Sequence, residues 1–108
     1  MAVTYKNVVV QTTNTPTTVY TAPASTKSIV LMFQAANNDT AGNYTITVTV
    51  TDSSASITRY LARSFNIPLN TSISLLDGKL VLETGDYIQI SSDTTGKIDV
   101  IMSIAEVA

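Results

Sequence analysis

The 108-residue chain has no cysteine, no histidine and no tryptophan. Without cysteine there is neither a disulfide framework nor a thiolate metal site. Without histidine the commonest metal ligand and general base is gone, so a serine triad cannot be assembled. Charge is scarce as well, at 13% of residues with a net charge of −2. The few cations (Lys6, Lys27, Arg59, Arg63, Lys79 and Lys97) are scattered and form no basic stripe, which argues against nucleic acid as a partner. No apolar run approaches the ~20 residues of a membrane span, and MAVTYKN lacks a signal-peptide core. Neither a membrane nor export by that route is therefore expected. Gly42, Gly78, Gly85 and Gly96 stand alone as turn residues and make no phosphate-cradling loop.

What remains for chemistry is carboxylate. The tightest group is Asp77, Glu83 and Asp86, which could in principle serve glycoside hydrolysis or an oxygen-rich Ca²⁺ site. Their positions at Asp77-Gly78 and Glu83-Thr84-Gly85-Asp86 favour a plain turn role, because Asp caps its own backbone there. No catalytic residue, cofactor or metal is expected. Asn38, Asn43 and Asn70 match the glycosylation sequon, as chance allows in a chain this rich in Asn, Thr and Ser. The five tyrosines are read as strand residues with buried rings and hydroxyls at the rim, in preference to a sugar-stacking platform.

The chain is punctuated by turn clusters at intervals of roughly ten residues, and no capped helical pattern interrupts them. Val3 to Thr12 is β-rich and reads as a strand or an arm, with residues 13–108 as one domain. Thr17 to Thr21 is a short extended run that stops at Pro23. Ser28 to Ala36 is almost continuously apolar, as in a strand buried on both faces. Tyr44, Ile46, Val48 and Val50 alternate with Thr45, Thr47, Thr49 and Thr51, the pattern of a half-buried strand. Ser56 to Phe65 returns as its hairpin partner and sets Arg59 and Arg63 on one face. Pro68 marks an edge or a bulge. Leu80–Leu82, Tyr87–Ile90 and Ile98–Ile104 read as a meander of antiparallel strands. These signals predict an all-β fold, an antiparallel β-sandwich or jelly roll of about eight strands.

Thr and Ser make up roughly a quarter of the chain, and charge is about half of ordinary usage. A surface of Thr, Ser, Ala and Val suits burial against other subunits better than life as a dilute monomer. The interaction candidates are Val3, Tyr5, Val8, Val9 and Val10 in the N-terminal stretch, fit for strand addition to a neighbour, with Arg59 and Arg63 on the expected shared face. A receptor- or carbohydrate-binding module is the competing class, with the loops Asn37–Asn43 and Ser91–Gly96 as its binding end.

Ile67 to Glu106, together with Val19-Tyr20-Thr21-Ala22-Pro23, resembles small β-sandwich virion proteins of tailed bacteriophages. In these a Pro-bearing strand leads to L-x-G-K-φ-V-L-E-x-G-D-x-I (φ apolar), a Ser/Gly tip and a last strand ending S-φ-x-E. The resemblance implies a structural protein located in the virion: a capsid decoration (cement) protein, or a neck, collar or tail-fibre subunit. It implies contact with the major capsid protein or other virion proteins. Assembly as a homo-oligomer is expected, with a trimer as the symmetry.

Overall fold

The computed structural model describes residues 2–108, and in it nine strands form two sheets. In chain order they are β1 (Val3–Gln11), β2 (Thr17–Thr21), β3 (Lys27–Asn37), β4 (Tyr44–Asp52), β5 (Ile57–Ile67), β6 (Ser72–Ser74), β7 (Leu80–Leu82), β8 (Tyr87–Ser92) and β9 (Ile98–Val107). The first sheet runs β1-β9-β3-β6, with β7 also paired to β3, and the second runs β2-β8-β4-β5. Every pairing is antiparallel.

The pairing is nested. β4 pairs β5, β3 pairs β6 and β7, β2 pairs β8, and β1 pairs β9. One long hairpin, its tip at Asp52–Ser56 and its return arm interrupted between β6 and β7, has rolled up on itself. This is the jelly-roll order, an eight-stranded plan whose sixth strand is split into β6 and β7. Apart from the β4–β5 hairpin and the split pair β6/β7, successive strands alternate between the sheets. The expected meander of β7, β8 and β9 is corrected here: the three strands exist, but β7 and β9 flank β3 while β8 joins β2 and β4. Local turn signals mark where a strand ends and carry nothing about which distant strand completes its ladder.

The core lies between the sheets. From β9 come Ile98, Val100, Met102 and Ile104, from β3 Val30, Phe33 and Ala35, from β4 Ile46 and Val48, and from β8 Ile88 and Ile90, all within 2% of complete burial. The alternation expected in β4 holds at Ile46 and Val48. β3 is corrected: it buries one face only. Leu31 is an extra residue at a bulge between Val30 and Met32, so the inward set passes from Ser28 and Val30 to Phe33 and Ala35. A bulge shifts the side-chain phase by one, which is why an alternating strand reads as a continuous apolar run.

β5 carries two such interruptions, around Leu61 and around Arg63-Ser64, where Ser64 takes a φ of 48°. Arg59 falls opposite Val50, whereas Tyr60 falls opposite Thr49 and has the Arg63 guanidinium 5.0 Å over its ring. The face expected to be common to Arg59 and Arg63 is thus broken by the bulges between them.

Side chains also bind the sheets together. Tyr20 of β2 donates its hydroxyl to Glu106 of β9 and accepts from Ser28 Oγ of β3 at 2.7 Å. Lys6 of β1 closes on the same carboxylate at 3.2 Å. At one end of the roll, Asp86 accepts from the backbone N–H groups of Ser53 and Glu83 and so fastens the β4–β5 tip to the β7–β8 turn. Gly85 in that turn has a φ of 87°, and a Cβ there would meet Ser53 Oγ at 2.7 Å. Gly78 also has positive φ, but in open space. Alanine at Gly78 should cost about 1 kcal/mol from backbone strain, and alanine at Gly85 measurably more. Urea midpoints of the two variants check this ordering; equal losses would show that Ser53 simply turns aside.

Candidate assembly surface

The two outer faces differ in chemistry. On the second sheet the outward rows are Thr18–Gln89–Thr49–Tyr60 and Thr21–Tyr87–Thr51–Thr58. Hydroxyls and amides there bond one another: Gln89 Nε2 donates to Thr18 Oγ1 at 3.0 Å, and Thr51 and Thr58 share a bond of 2.7 Å. The expected Thr-lined surface is this one, and it is largely satisfied internally.

The first sheet turns outward a different set. Its register aligns Tyr5, Ala105, Ile29 and Val81 in one row, and Val9 with Ile101 in another. Leu31, displaced by its bulge, sits with Tyr5, Asn7 and Ser103 around a shallow depression of about 360 Å³. Val3, Tyr5, Val9, Leu31, Val81 and Ile101 are all between 38% and 75% exposed. Scattered exposed apolar residues are ordinary, but several on adjoining strands of one sheet face make that face the candidate contact surface.

The interaction residues read from the sequence are therefore divided. Val3, Tyr5 and Val9 point out on the first sheet, while Val8 and Val10 point inward and pack against the core. Arg59 and Arg63 lie on β5, at the edge of the other sheet. Leu31, Val81, Ile101 and the nearly buried Ala105 were not singled out from the sequence. For Val81 and Ile101 the signal was present, since each is the odd member of an alternating strand, but their neighbours across the sheet were not known. The tyrosines also divide. Tyr20 and Tyr44 follow the expected pattern of a part-buried ring with a bonded hydroxyl, whereas Tyr5 and Tyr60 are 75% and 55% exposed. These two stand on different sheets and form no common platform.

Little else is arranged for chemistry. Among the described residues no cluster of acidic side chains could hold a metal ion. Asp86 is occupied by the turn bonds above. The loops Asn37–Asn43 and Ser91–Gly96 do meet at one end, where Asn38 N–H donates to the Lys97 carbonyl and Lys97 pairs with Asp39 at 3.5 Å. Their polar groups are spent on one another: Asp39 accepts from Tyr44 Oη at 2.7 Å and from the Ala41 N–H, and Asp93 accepts from the Thr45 N–H. The Tyr44 bond is the main reason the Asp39 carboxyl is held below its ordinary range. A recess of about 490 Å³ at the opposite end is lined by Thr26, Lys27, Ser54, Glu83 and Thr84. There the Thr26 hydroxyl donates to the Ala24 carbonyl, the Thr84 hydroxyl to the Thr26 carbonyl and the Ser54 hydroxyl to Asp52.

No family model matches the chain, and no curated protein sequence matches it. Solved structures do match. A pentameric capsid protein isolated from metagenomic phage sequences is 21% identical with a TM-score of 0.46, over 92% of this chain and 60% of that one. A structure of infectious bursal disease virus, Gx strain, is 12% identical with a TM-score of 0.54, over 97% of this chain and 32% of that one. This chain thus spans less than two thirds of either. At these identities the second comparison establishes a shared fold: the same two-sheet plan occurs within a larger viral chain.

The Tyr20–Glu106–Lys6 cluster gives this architecture a pH dependence. The Tyr20 bond, ahead of Lys6, holds the Glu106 carboxyl below 4.5, its ordinary value. Burial first, and then the Glu106 bond, pushes the Tyr20 hydroxyl up to about 12. A depressed carboxyl contributes stability that is complete above 4.5 and fades as pH falls through the folded-state value. A raised phenol contributes stability that is complete below 10.0 and fades as pH climbs towards about 12. Tyr20→Phe should therefore lower stability at neutral pH by about 1–3 kcal/mol and flatten the loss of stability on acidification. Thermal unfolding from neutral pH to pH 3 tests this; an unchanged acid slope would remove Tyr20 from the account.

Proposed function

We propose that this chain is a non-enzymatic virion structural protein, and within that class a capsid decoration (cement) subunit. It sits on the major capsid protein or another virion protein through the outer face of its first sheet. The observation that carries this reading is the apolar row Tyr5–Ala105–Ile29–Val81 with Val9, Ile101 and Leu31 beside it. A decoration subunit needs a broad surface that excludes water on docking and needs no reaction centre.

Two further points support the class. The jelly roll is a fold used by viral capsid domains, and this chain shares its fold with a structure of infectious bursal disease virus. The turn grammar of Ile67 to Glu106 also resembles that of phage virion proteins. A neck, collar or tail-fibre subunit would use the same apolar face, so position on the particle separates these roles. A glycan-binding module is disfavoured by the separation of Tyr5 from Tyr60 and by the internally satisfied loops.

An antibody against the protein should detect it on gradient-purified particles of its source and decorate their shells by electron microscopy. Ile101→Lys and Val81→Lys should remain folded and lose binding to stripped particles by about tenfold or more, as expected for the centre of an apolar contact. Full binding by both variants, or decoration confined to tails, would overturn the cement assignment.

A further inference from the structure

The two long edges of the molecule are built differently. β5 is bulged twice, has a residue at positive φ and carries Arg59 and Arg63, all devices that discourage another strand from pairing there. β1 has neither a bulge nor a residue at positive φ, and its one charge, Lys6, is held by Glu106. It runs nine residues in unbroken register with β9, without proline or bulge, and nothing follows it in the sheet order. The direction of its free groups is fixed by its ends. The Ala2 carbonyl accepts from Ala108 and the Thr12 N–H donates to Ile98, so even-numbered residues face β9. By alternation, the N–H and C=O groups of Val3, Tyr5, Asn7, Val9 and Gln11 point away from the sheet.

We propose that this edge pairs with β1 of a second copy of the chain, antiparallel about a two-fold axis at Asn7. In that register Val3 opposes Gln11, Tyr5 opposes Val9 and Asn7 opposes Asn7. Every free odd-numbered group then meets a free odd-numbered group, and the whole strand is used. A two-residue slip either way shortens the ladder, and one of the two sets Lys6 against Lys6, a like-charge pair that costs stability. At the Asn7 centre Lys6 faces Val8 instead, and stays free to hold Glu106. Tyr5 against Val9 is an aromatic–β-branched pair, a stabilising combination across strands. The pair lies on the outer face and extends the row Tyr5–Ala105–Ile29–Val81 into the partner. The two first sheets become one, with a doubled apolar face, and the interface is isologous as a two-fold dimer requires. The proposed two-fold pair differs from the trimer expected from the sequence. The dimer needs no virion protein, so it stands or falls separately from the particle-binding reading.

Proline at an odd-numbered position removes a free donor and leaves the β9 ladder intact. The full chain should run as a dimer in light scattering at tens of micromolar. Asn7→Pro should be monomeric with a native circular-dichroism spectrum. Should Asn7→Pro fail to fold, Asn7→Lys serves in its place: its lysines oppose at the axis, so it should dissociate at low salt and recover at high salt. Asn7→Cys, the only thiol in the chain, should give a covalent dimer with a short bis-maleimide, and Thr18→Cys should not. A monomeric wild type at hundreds of micromolar would overturn the proposal. So would an oligomer indifferent to Asn7→Pro and Asn7→Lys, or equal crosslinking through Thr18→Cys.

Discussion

The period of two along β9 is the constraint from which the rest of the molecule follows. Ile98, Val100, Met102 and Ile104 point into the core, and Ile101, Ser103 and Ala105 point out between β1 and β3. Ile101 and Ala105 are apolar enough to be buried, so register, helped by Asp99 at the start of the outward set, which accepts from Gln11 and Asn38, decides between the two sets. A slip of one residue would exchange them. Glu106 resists that slip. It continues the inward set at the strand's end, where Tyr20 from the opposite sheet and Lys6 from β1 meet it. Placed outward it would lose both partners, and in the interior without them it would be a costly buried charge.

A molecule with so few charges spends them on its own joints. Asp86 binds the hairpin tip to the β7–β8 turn, Asp39 ties Tyr44 and Lys97 together, and Glu106 links the two sheets. The acidic residues are thus tie points between segments that the nested topology brings together from far apart in sequence. This explains why an acidic group suggestive of a reaction at Asp77, Glu83 and Asp86 resolves into turn geometry. It also explains why the apolar face of the first sheet has so little charge to interrupt it. Lys6 is turned to Glu106, and Lys27, which shares that face, stands at its end opposite Val107.

Much of the fold was legible because local rules were obeyed locally. The alternation from Tyr44 to Thr51 gave the inward positions Ile46 and Val48, and the turn clusters gave strand boundaries and strand number. Two kinds of information were not local. Bulges at Leu31 and within Leu61–Ser64 shift the side-chain phase inside β3 and β5, and no residue type announces a bulge when glycine is not used. Hence β3 read as buried on both faces and the arginines of β5 as neighbours. Strand order was the second gap, because in a rolled hairpin the partner of β9 is the first strand of the chain. The candidate surface needed that order. Tyr5, Ile29, Val81 and Ala105 are far apart in sequence, and only the register makes them one row.

The same topology fixes where an edge must be defended. An open sandwich leaves four edge strands, and short ones are poor templates. β2 and the β6/β7 pair are five residues or fewer. β5, at eleven residues, would be a template of the first order, and there the chain spends bulges, a strained Ser64 and two arginines. β1 is nearly as long and is left regular. Regularity there costs solubility and brings the isolated domain no folding advantage, since the ladder to β9 uses only the even-numbered groups. At β1 the single edge charge, Lys6, is drawn to Glu106, and this asymmetry between the two long edges is what the proposed pairing uses.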